Sequence, residues 1–379
     1  MRIALIDPGA YTPPYDDRLA AALAARGHDV HLLTAPFRFA EVRGAEGYER
    51  HELFFPLSSR LFRRAPRSRA RLPLKAVEYA SGARALKREL EAIEPDVVHL
   101  QWLFRRPDLD LRWLRPLTER WPTVFTAHDL SAMIAGRLAH WLQVFDAVDR
   151  VVVHSLRGVG ELAALGVPRE RIERIPHPVF AGRTAVTDSP SGSTLLFFGL
   201  IRAYKGLDLA IRALPAIARD VPGAKLVIAG DPVEPVEPLQ ELAVELGVAD
   251  RIEWRLGYQD DEATDTLMAG SAVVMLPYRE RVDSSGVLAS ALGHGRPAVV
   301  TDVGNLGETV AEFGAGAVVP PEDVDELAAA CSRLLTDEAA LREAFEGTRA
   351  ACAALSWDAS AEQHERLYEA VANRSLSSA

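Results

Sequence analysis

Two cations stand three residues apart on a short turn between an apolar run and an amphipathic stretch. The run "LLFFG" ends at Gly199, Arg202 and Lys205 follow, and "LDLAIRALPAI" then carries apolar residues every three or four positions. This pattern predicts a buried strand, a turn and a helix. Free backbone N–H groups and the helix dipole favour negative charge at such a helix start. Arg202 and Lys205 add a fork of donors and a point charge, so we predict an anion site.

A second group of cap-type residues follows the apolar run "AVVMLP". Asp283, Ser284, Ser285 and Gly286 precede "VLASALG". Such residues are preferred at helix N-termini, and glycine lets the backbone approach a ligand closely. Because parallel strands end at one edge of their sheet, we expect both helix starts to face the same pocket. Two such helix starts at one pocket indicate a nucleotide diphosphate as the ligand.

The elements that position these residues follow from an alternation of short apolar runs and longer amphipathic stretches. Such alternation is typical of a parallel sheet with helices on both faces. The first half has the runs "RIALID", "VHLLT", "VVHLQW", "TVFTAHD" and "RVVVHS", with predicted helices over residues 18–26 and "AVEYASGARALKRELEAI". The second half has "TLLFFG", "KLVIAG", "RIEWRLG", "AVVMLP", "PAVVTD" and "GAVVP". We therefore predict an α/β protein with two doubly wound domains.

The boundary between the two domains is predicted from a change in composition. The segment "VTDSPSGS", residues 186–193, has the Ser, Gly and Pro content of a linker. We place the first domain at residues 1–185 and the second at residues 186–357. The last stretch, residues 358–379, predicts an amphipathic helix that packs back on the first domain.

Charge and cysteine content exclude several classes of protein. The net charge of −10 argues against a general nucleic-acid binder. Cys331 and Cys352 are the two cysteines, so neither a disulfide framework nor a cysteine-based metal site is expected. The chain shows no signal-peptide pattern and no apolar run long enough for a membrane span. We therefore expect a cytoplasmic protein, peripheral on the inner face of the plasma membrane if it meets a membrane at all.

A basic segment, "RLFRRAPRSRARLPLK", carries seven cations and no acid. One interpretation is a solvated loop. Another is a contact surface for an anionic membrane or a phosphate-bearing partner, and nucleic acid is the least favoured. The seven cations are Arg60, Arg63, Arg64, Arg67, Arg69, Arg71 and Lys75.

The sequence resembles the retaining GT-B-fold glycosyltransferases of family 4, also called glycosyltransferase group 1. The resemblance rests on "FFGLIRAYKGLDLAIRAL", "LVIAGD", "RIEWRLGYQDDEATDTLMAGSAVVMLPYRE" and "SSGVLASALGHGRPAVVTDVGNLGE", with looser matches at "FTAHDL", "VVVHS" and "RIPHPV". It implies two Rossmann-type domains facing across a cleft. The second domain would hold a nucleotide-sugar donor and the first a hydroxyl acceptor. Because the basic segment lies in the first domain, we expect a lipid-linked or phosphate-bearing acceptor. The donor is a substrate, so no cofactor and no metal is expected.

The resemblance assigns Arg202 and Lys205 to the donor diphosphate, where they would stabilise the leaving group. In this family the departing phosphate is proposed to take the acceptor proton, so no protein base is required. The expected donor-binding residues are Gly199, Arg202, Lys205, Tyr258, Glu280, Asp283, Ser284, Ser285, Gly286 and Val287.

The sequence departs from the family at a pair of glutamates separated by seven residues, which reach the sugar hydroxyls and the ribose. The position of the second glutamate is occupied by Ser290 when counted back from "GRP" and by Ala291 when counted forward from "SG". The first falls on Val282 or Asp283, and we favour Asp283, with Glu280 as the alternative. The identity of the nucleotide therefore stays open.

His128 in "FTAHDL" follows a predicted strand, where the family places a histidine near the transferred sugar. We expect it to orient the sugar or the acceptor, with Asp129 beside it; a structural role is the alternative. No second ligand is spaced for a metal. The family's Gly-Gly loop is replaced by "DPGAYTPPYDD", so Tyr11, Tyr15 and Asp16 are acceptor-side residues or loop surface.

Two other functions fit the same architecture. A non-catalytic sugar-nucleotide-binding or scaffold protein is one, because the glutamate pair is missing. A nucleotide-sugar 2-epimerase is less favoured, since no set of acidic residues and histidines is grouped for proton transfer. His99 and His154 are predicted to be structural, and His177 is kept as a candidate for lining the cleft, with a structural role as the favoured alternative.

Overall fold

The computed structural model describes residues 1–37, 44–62, 68–104, 107–182, 189–280 and 283–377. Arg63, Arg64, Arg67, Val282 and the first three residues of the predicted linker lie outside the described residues. Contacts divide the chain into two compact units, Met1–Pro176 with Trp357–Ala379, and His177–Ser356. None of the described helices combines the length and the apolar character needed to cross a bilayer.

The first unit is built on a parallel sheet of seven strands. These are β1 (Arg2–Asp7), β2 (Asp29–Thr34), β3 (Glu49–Glu52), β4 (Val97–Leu100), β5 (Thr123–Thr126), β6 (Arg150–Val153) and β7 (Ile172–Arg174). Their order in the sheet is β3-β2-β1-β4-β5-β6-β7, and every neighbouring pair is parallel. Alternate side chains of β1 enter separate cores, with Ile3 and Leu5 on one face and Ala4 and Ile6 on the other.

Six helices follow these strands. They are α1 (Pro13–Ala25), α2 (Pro56–Leu61), α3 (Leu72–Ile93), α4 (Pro107–Thr118), α5 (Leu130–Ala147) and α6 (Leu156–Ala164). Helix α1 begins five residues before the predicted start, because proline is well suited to the first positions of a helix. Tyr15 and Asp16 are therefore buried helix residues, and their interpretation as loop surface was wrong.

The second unit repeats the architecture with six parallel strands. These are β8 (Thr194–Phe198), β9 (Lys225–Gly230), β10 (Ile252–Leu256), β11 (Val273–Leu276), β12 (Ala298–Thr301) and β13 (Gly316–Val319), in the order β10-β9-β8-β11-β12-β13. The helices are α7 (Leu207–Asp220), α8 (Glu237–Glu245), α9 (Asp261–Ala269), α10 (Gly286–Gly293), α11 (Leu306–Phe313), α12 (Val324–Thr336) and α13 (Glu338–Ala354). The prediction of two doubly wound parallel sheets is confirmed.

The second unit begins at His177, earlier than the predicted linker, because the residues before the linker pack on it. Val179 N donates to Leu355 O at 2.9 Å, and Phe180 N donates to Ala289 O at 3.1 Å. A Cβ on Gly293 would lie 2.2 Å from Phe180 O, so this approach requires glycine in α10.

The C-terminal helix, α14 (Trp357–Ser377), belongs to the first unit and packs on α1. Arg26 at the end of α1 pairs with Glu365 at 2.7 Å and with Asp358 at 3.1 Å. The hydroxyl of Tyr368, which is fully buried, lies 2.6 Å from His99 Nδ1 on β4. Helix α14 thus covers the face of the sheet that carries Ile3 and Leu5.

We expect Tyr368→Ala to lower the free energy of unfolding by about 3 to 5 kcal/mol, because it leaves a cavity and removes the partner of His99. Urea unfolding followed by tryptophan fluorescence measures this, since all tryptophans except Trp254 lie in the first unit. Val77→Ala is the control within the first unit, at a side chain that is 74% exposed, with an expected change of at most about 0.5 kcal/mol. Equal unfolding midpoints for the two variants would contradict the role of α14.

Candidate functional site

The turn that carries Lys205 is packed against the end of β11. After β8, Gly199 has φ +100°, a 3₁₀ turn spans Ala203–Lys205, and Gly206 has φ +68° at the start of α7. A Cβ on Gly206 would lie 2.0 Å from Pro277 O, so glycine is required for this close approach. Glycine at these positions lets the turn reach the neighbouring strand end.

Lys205 is a buried cation. Its side chain is 7% exposed, and its Nζ lies 5.3 Å from the centroid of the Tyr278 ring. Burial lowers the pKa of Lys205; the charge of Tyr204 opposes this shift and that of Arg202 adds to it. Among the described residues no carboxylate pairs with the ammonium group. Because a buried charge is costly without a counter-ion, the site favours an anion beside Nζ.

The two predicted helix starts converge on this ammonium group. Ser285 is the N-cap of α10 and accepts a hydrogen bond from Leu288 N at 3.3 Å. A Cβ on Gly199 would lie 3.2 Å from Lys205 Nζ and 3.0 Å from Val287 Cγ2. The end of β8, the lysine and the first turn of α10 therefore share one small region. Positive potential from the helix N-terminus adds to that of the lysine.

Arg279, which the sequence reasoning missed, holds the turn in place. Its guanidinium donates to both carboxylate oxygens of Asp208 at 2.6 and 2.7 Å, and its Nε donates to Glu322 at 2.6 Å. It also donates to Ala203 O at 3.2 Å. Burial raises the pKa of Asp208, but the hydrogen bonds and charge of Arg279 outweigh burial and hold it below its usual value. The available signal was an arginine after β11 and an acid in the first turn of α7.

The other donor-side residues are less closely grouped. Arg202 is exposed, and its guanidinium makes no hydrogen bond or ion pair with the part of the chain that the structure describes. Asp283 is buried, whereas Glu280 is exposed. Tyr258 follows β10 at the edge of the sheet, and β9 separates β10 from β8. The structure thus brings Gly199, Lys205, Ser285 and Val287 together and leaves Tyr258 at the sheet edge.

In the first unit His128 is the centre of a polar and aromatic cluster. Its Nε2 lies 2.8 Å from Gln101 Oε1, and its Nδ1 lies 3.1 Å from His154 Nε2. Trp102 stacks on the ring, with centroids 5.3 Å apart and planes 15° apart. Tyr15 meets the ring edge-on at 4.8 Å. Packing and hydrogen bonds together hold His128 in one orientation.

The hydrogen bonds of this cluster determine which nitrogen carries the proton. His154 Nδ1 donates to Ile175 O at 2.8 Å, so its Nε2 accepts from His128 Nδ1. His128 Nε2 then faces Gln101 Oε1, which accepts from a protonated nitrogen; the Gln101 amide donates to a neutral ring only if its oxygen and nitrogen exchange places. His128 can therefore form a direct hydrogen bond to a sugar only if the sugar replaces His154 or Gln101 as its partner.

Asp7 organises the loop that precedes α1, and sequence reasoning did not select it. Its carboxylate accepts from the backbone N–H groups of Gly9, Tyr11 and Thr12. Burial raises the pKa of Asp16, the charge of Asp7 raises it further, and a hydrogen bond joins the two carboxyl groups. Asp16 therefore holds the proton and donates it in a hydrogen bond to Asp7, which in turn binds the backbone of the loop. The available signal was an aspartate at the carboxyl end of the first strand.

A cavity of about 230 Å³ lies beside this cluster in the first unit. Tyr11, which is partly exposed, packs on Trp102 with ring centroids 5.2 Å apart, and Trp102 lines the cavity. Asp129 caps α5 by accepting from Ala132 N at 3.2 Å. The backbone of α5 departs from helical geometry at Arg137. The cavity is lined by Trp102, Asp129, Ala132, Met133, Gly136, Arg137, His140 and Trp141.

We expect Asp16→Asn to change how stability depends on pH. The folded-state pKa of Asp16 is raised, so its stabilising contribution is present below the unfolded pKa and is lost as the pH rises through the folded pKa. Asparagine keeps an N–H donor for Asp7 and does not titrate. As the pH rises, the free energy of unfolding of the variant should therefore increase relative to that of the wild type, by at most about 1.4 kcal/mol per pH unit.

Urea unfolding between about pH 5 and about pH 8 measures this difference. Asp17→Asn removes a neighbouring carboxylate, which pairs with Arg50 at 2.6 Å, and controls for the loss of one acid from α1. Parallel stability curves for wild type and Asp16→Asn would show that Asp16 does not hold the proton.

Comparison with known proteins gives a match to each half of the chain. Residues 17–182 match the family model described as "Glycosyltransferase Family 4", and residues 192–337 match the one described as "Glycosyl transferases group 1". The D-inositol 3-phosphate glycosyltransferase of Mycobacterium marinum is 28% identical over 320 residues, covering 76% of this chain. The aligned region spans 66% of that relative, slightly less than two thirds of its length.

Solved structures resemble the whole chain. Sucrose-phosphate synthase from Thermosynechococcus elongatus has a TM-score of 0.70 at 20% identity, covering 98% of this chain and 99% of that one. Anabaena HepE, solved in complex with UDP, has a TM-score of 0.72 at 16% identity, covering 98% and 100%. At these identities the likeness establishes the fold. Each half of the chain thus matches a glycosyltransferase family model, family 4 in the first and group 1 in the second, and the two doubly wound sheets have the fold of GT-B glycosyltransferase structures.

Proposed function

We propose that the protein transfers a sugar from a nucleotide diphosphate to a hydroxyl acceptor, with retention of the anomeric configuration. The observation that carries this proposal is the buried ammonium group of Lys205, which lies beside Gly199 and the first turn of α10 without a carboxylate partner among the described residues. A diphosphate would supply the missing counter-charge and accept hydrogen bonds from the N-terminus of α10. The UDP complex of HepE supports a nucleotide donor.

The chemistry follows from where charge develops. The bond between the anomeric carbon and the diphosphate oxygen breaks, and the acceptor oxygen forms a new bond to the same carbon. Negative charge grows on the departing diphosphate, where Arg202 and Lys205 stabilise it. The acceptor proton passes to a departing phosphate oxygen, so the transfer uses no protein base. Attack from the face that the diphosphate leaves produces retention.

The remaining donor contacts are assigned by position. Asp283, with Glu280 as the alternative, would bind the sugar hydroxyls, and Tyr258 would lie beside the base. Arg279 is a positioning residue, because it acts on the donor through the turn that carries Lys205. The donor is a substrate, and the proposed transfer uses no metal and no cofactor.

For the acceptor we propose a phosphate-bearing or lipid-linked alcohol, bound at the 230 Å³ cavity of the first unit. Arg137 offers a cation at this cavity, and Asp129 offers an acceptor for hydroxyl groups. Tyr11 and Trp102 present aromatic faces on which a sugar or polyol ring can pack. The Mycobacterium marinum relative is named for an inositol phosphate, which supports a phosphate-bearing acceptor.

Arg202→Ala and Lys205→Ala should each lower kcat/KM for sugar transfer by about 100-fold or more, because each removes stabilisation of the leaving group. The assay measures transfer from UDP-, GDP- and ADP-sugars to inositol phosphates and lipid-linked alcohols. NMR of the product tests retention. Arg219→Ala and Lys225→Ala are matched controls at exposed sites of the second unit, with expected changes within about twofold.

The outcomes separate the three functions that the sequence leaves open. Donor binding without transfer or hydrolysis would favour a non-catalytic sugar-nucleotide-binding protein. Exchange of the sugar C2 proton with solvent, without transfer, would favour an epimerase. Full transfer activity in Lys205→Ala would remove the proposed role of the buried ammonium group.

We also propose that the first unit docks on an anionic membrane surface at the cytoplasmic face of the plasma membrane. Of the seven cations in residues 60–75, Arg60 and Arg69 are exposed, and Lys75 lies 4.2 Å from the centroid of the Phe55 ring. Large apolar side chains are exposed on the same segments, where they could enter a bilayer interface. They are Leu57, Leu61, Leu72 and Val77.

Neutralising the seven cations to glutamine should abolish binding to phosphatidylglycerol vesicles, since each basic residue contributes about 1 kcal/mol near an anionic surface. Vesicle co-sedimentation at low and high salt measures this. The charge-matched control neutralises seven cations of the second unit, namely Arg212, Arg219, Lys225, Arg255, Arg333, Arg342 and Arg349. Leu61→Ser with Val77→Ser should weaken binding at unchanged charge. Equal binding of the two neutralised proteins would exclude this docking surface.

A further inference from the structure

Two histidines and a glutamate converge at the edge of the first sheet. His31 lies on β2, and Glu49 and His51 lie on the edge strand β3. His31 is paired with Glu49 in the parallel register, and residues two apart on a strand share a face. His31 Nδ1 lies 3.1 Å from His51 Nε2 and 3.5 Å from Glu49 Oε2, and the last two atoms are 3.6 Å apart. The three atoms form a nearly regular triangle.

The size of this triangle matches the ligand spacing of a bound metal ion. Zinc binds nitrogen and oxygen at about 2.0 to 2.1 Å, so two ligands of a tetrahedral ion lie about 3.3 Å apart. The three observed separations, 3.1, 3.5 and 3.6 Å, are close to that value. An ion above the triangle would have one further position for water. The Glu49 side chain is 70% exposed, so the ion can reach the site from solvent.

Two further carboxylates orient the histidine rings. Asp29 Oδ1 lies 3.3 Å from His31 Nε2, and Glu89 Oε1 on α3 lies 2.9 Å from His51 Nδ1. Carboxylates placed behind metal-binding histidines in this way hold the rings in the orientation that a bound ion needs. His31 Nδ1, His51 Nε2 and Glu49 Oε2 face one another at the front of the cluster, so a cation placed between them would contact all three atoms.

The geometry points to a divalent metal site, with zinc as the ion that two imidazoles and one carboxylate favour. His31, Glu49 and His51 are the ligands, and Asp29 and Glu89 are the residues that position them. The ion would fasten β3 to β2 and, through Glu89, to α3. Strands β1 and β4 lie between β2 and β5, the strand that leads to His128, so the ion is structural and takes no part in sugar transfer.

Metal titration of the full-length protein, stripped with EDTA, tests the proposal. We expect about one equivalent of Co²⁺ per chain, with visible absorption of a four- or five-coordinate site that Zn²⁺ displaces, and a higher melting temperature with Zn²⁺. Glu49→Gln and His51→Ala should each weaken binding by about 100-fold or more, because each removes a ligand. Glu89→Gln should weaken it by about 10- to 100-fold.

Glu91→Gln is the matched control for Glu89→Gln. Glu91 lies on the same helix but pairs with Arg120 at 3.1 Å, and its substitution should leave metal affinity unchanged. Glu49→Gln decides the matter if His51→Ala fails to fold, because the Glu49 side chain is mostly exposed and circular dichroism can verify the variant's fold. Wild-type protein that takes up no metal at micromolar Zn²⁺, as expected if a shared proton fills the triangle, would overturn the proposal. So would full binding in Glu49→Gln.

Discussion

The buried ammonium group of Lys205 is the constraint on which the site of the second unit depends. Removing a charge from water costs several kcal/mol unless a counter-ion replaces the solvent. The fold holds the lysine there because Gly206 permits contact with Pro277 and because Arg279 ties the turn to Asp208. With the N-terminus of α10 beside it, the ammonium group creates a positive potential that an anionic ligand would neutralise.

Two groups of buried polar side chains in the first unit differ from this site, because their members form hydrogen bonds with one another. Asp16 donates to Asp7, which in turn orients the loop before α1. His128 is held between His154 and Gln101 and is stacked on Trp102. Such internal networks fix side chains before a ligand arrives, which lowers the entropy cost of binding. The cavity beside Trp102 therefore has a rigid wall.

Local sequence patterns predicted most of the architecture, and the exceptions have specific causes. Every strand with a continuous apolar run was found, because such runs are typical of strands buried on both faces. Strands β3, "ERHE", and β7, "IER", were missed because both are edge strands, which can consist mostly of polar residues. The expectation of no metal was drawn from His128 and the cysteines, and it stays a prediction. Tyr15 and Asp16 were misplaced because two prolines concealed the start of α1.

The sequence by itself determined the features that depend on neighbours along the chain. These include the spacing of Arg202 and Lys205, the cap at Ser285, the glycine breaks and the order of apolar and amphipathic stretches. Only the tertiary structure decided which side chains meet. Arg279 and Asp208 are 71 residues apart, and His31 and His51 meet because β2 and β3 are neighbours in one register. Such pairings depend on strand order and register, which arise from packing of the whole domain rather than from local periodicity.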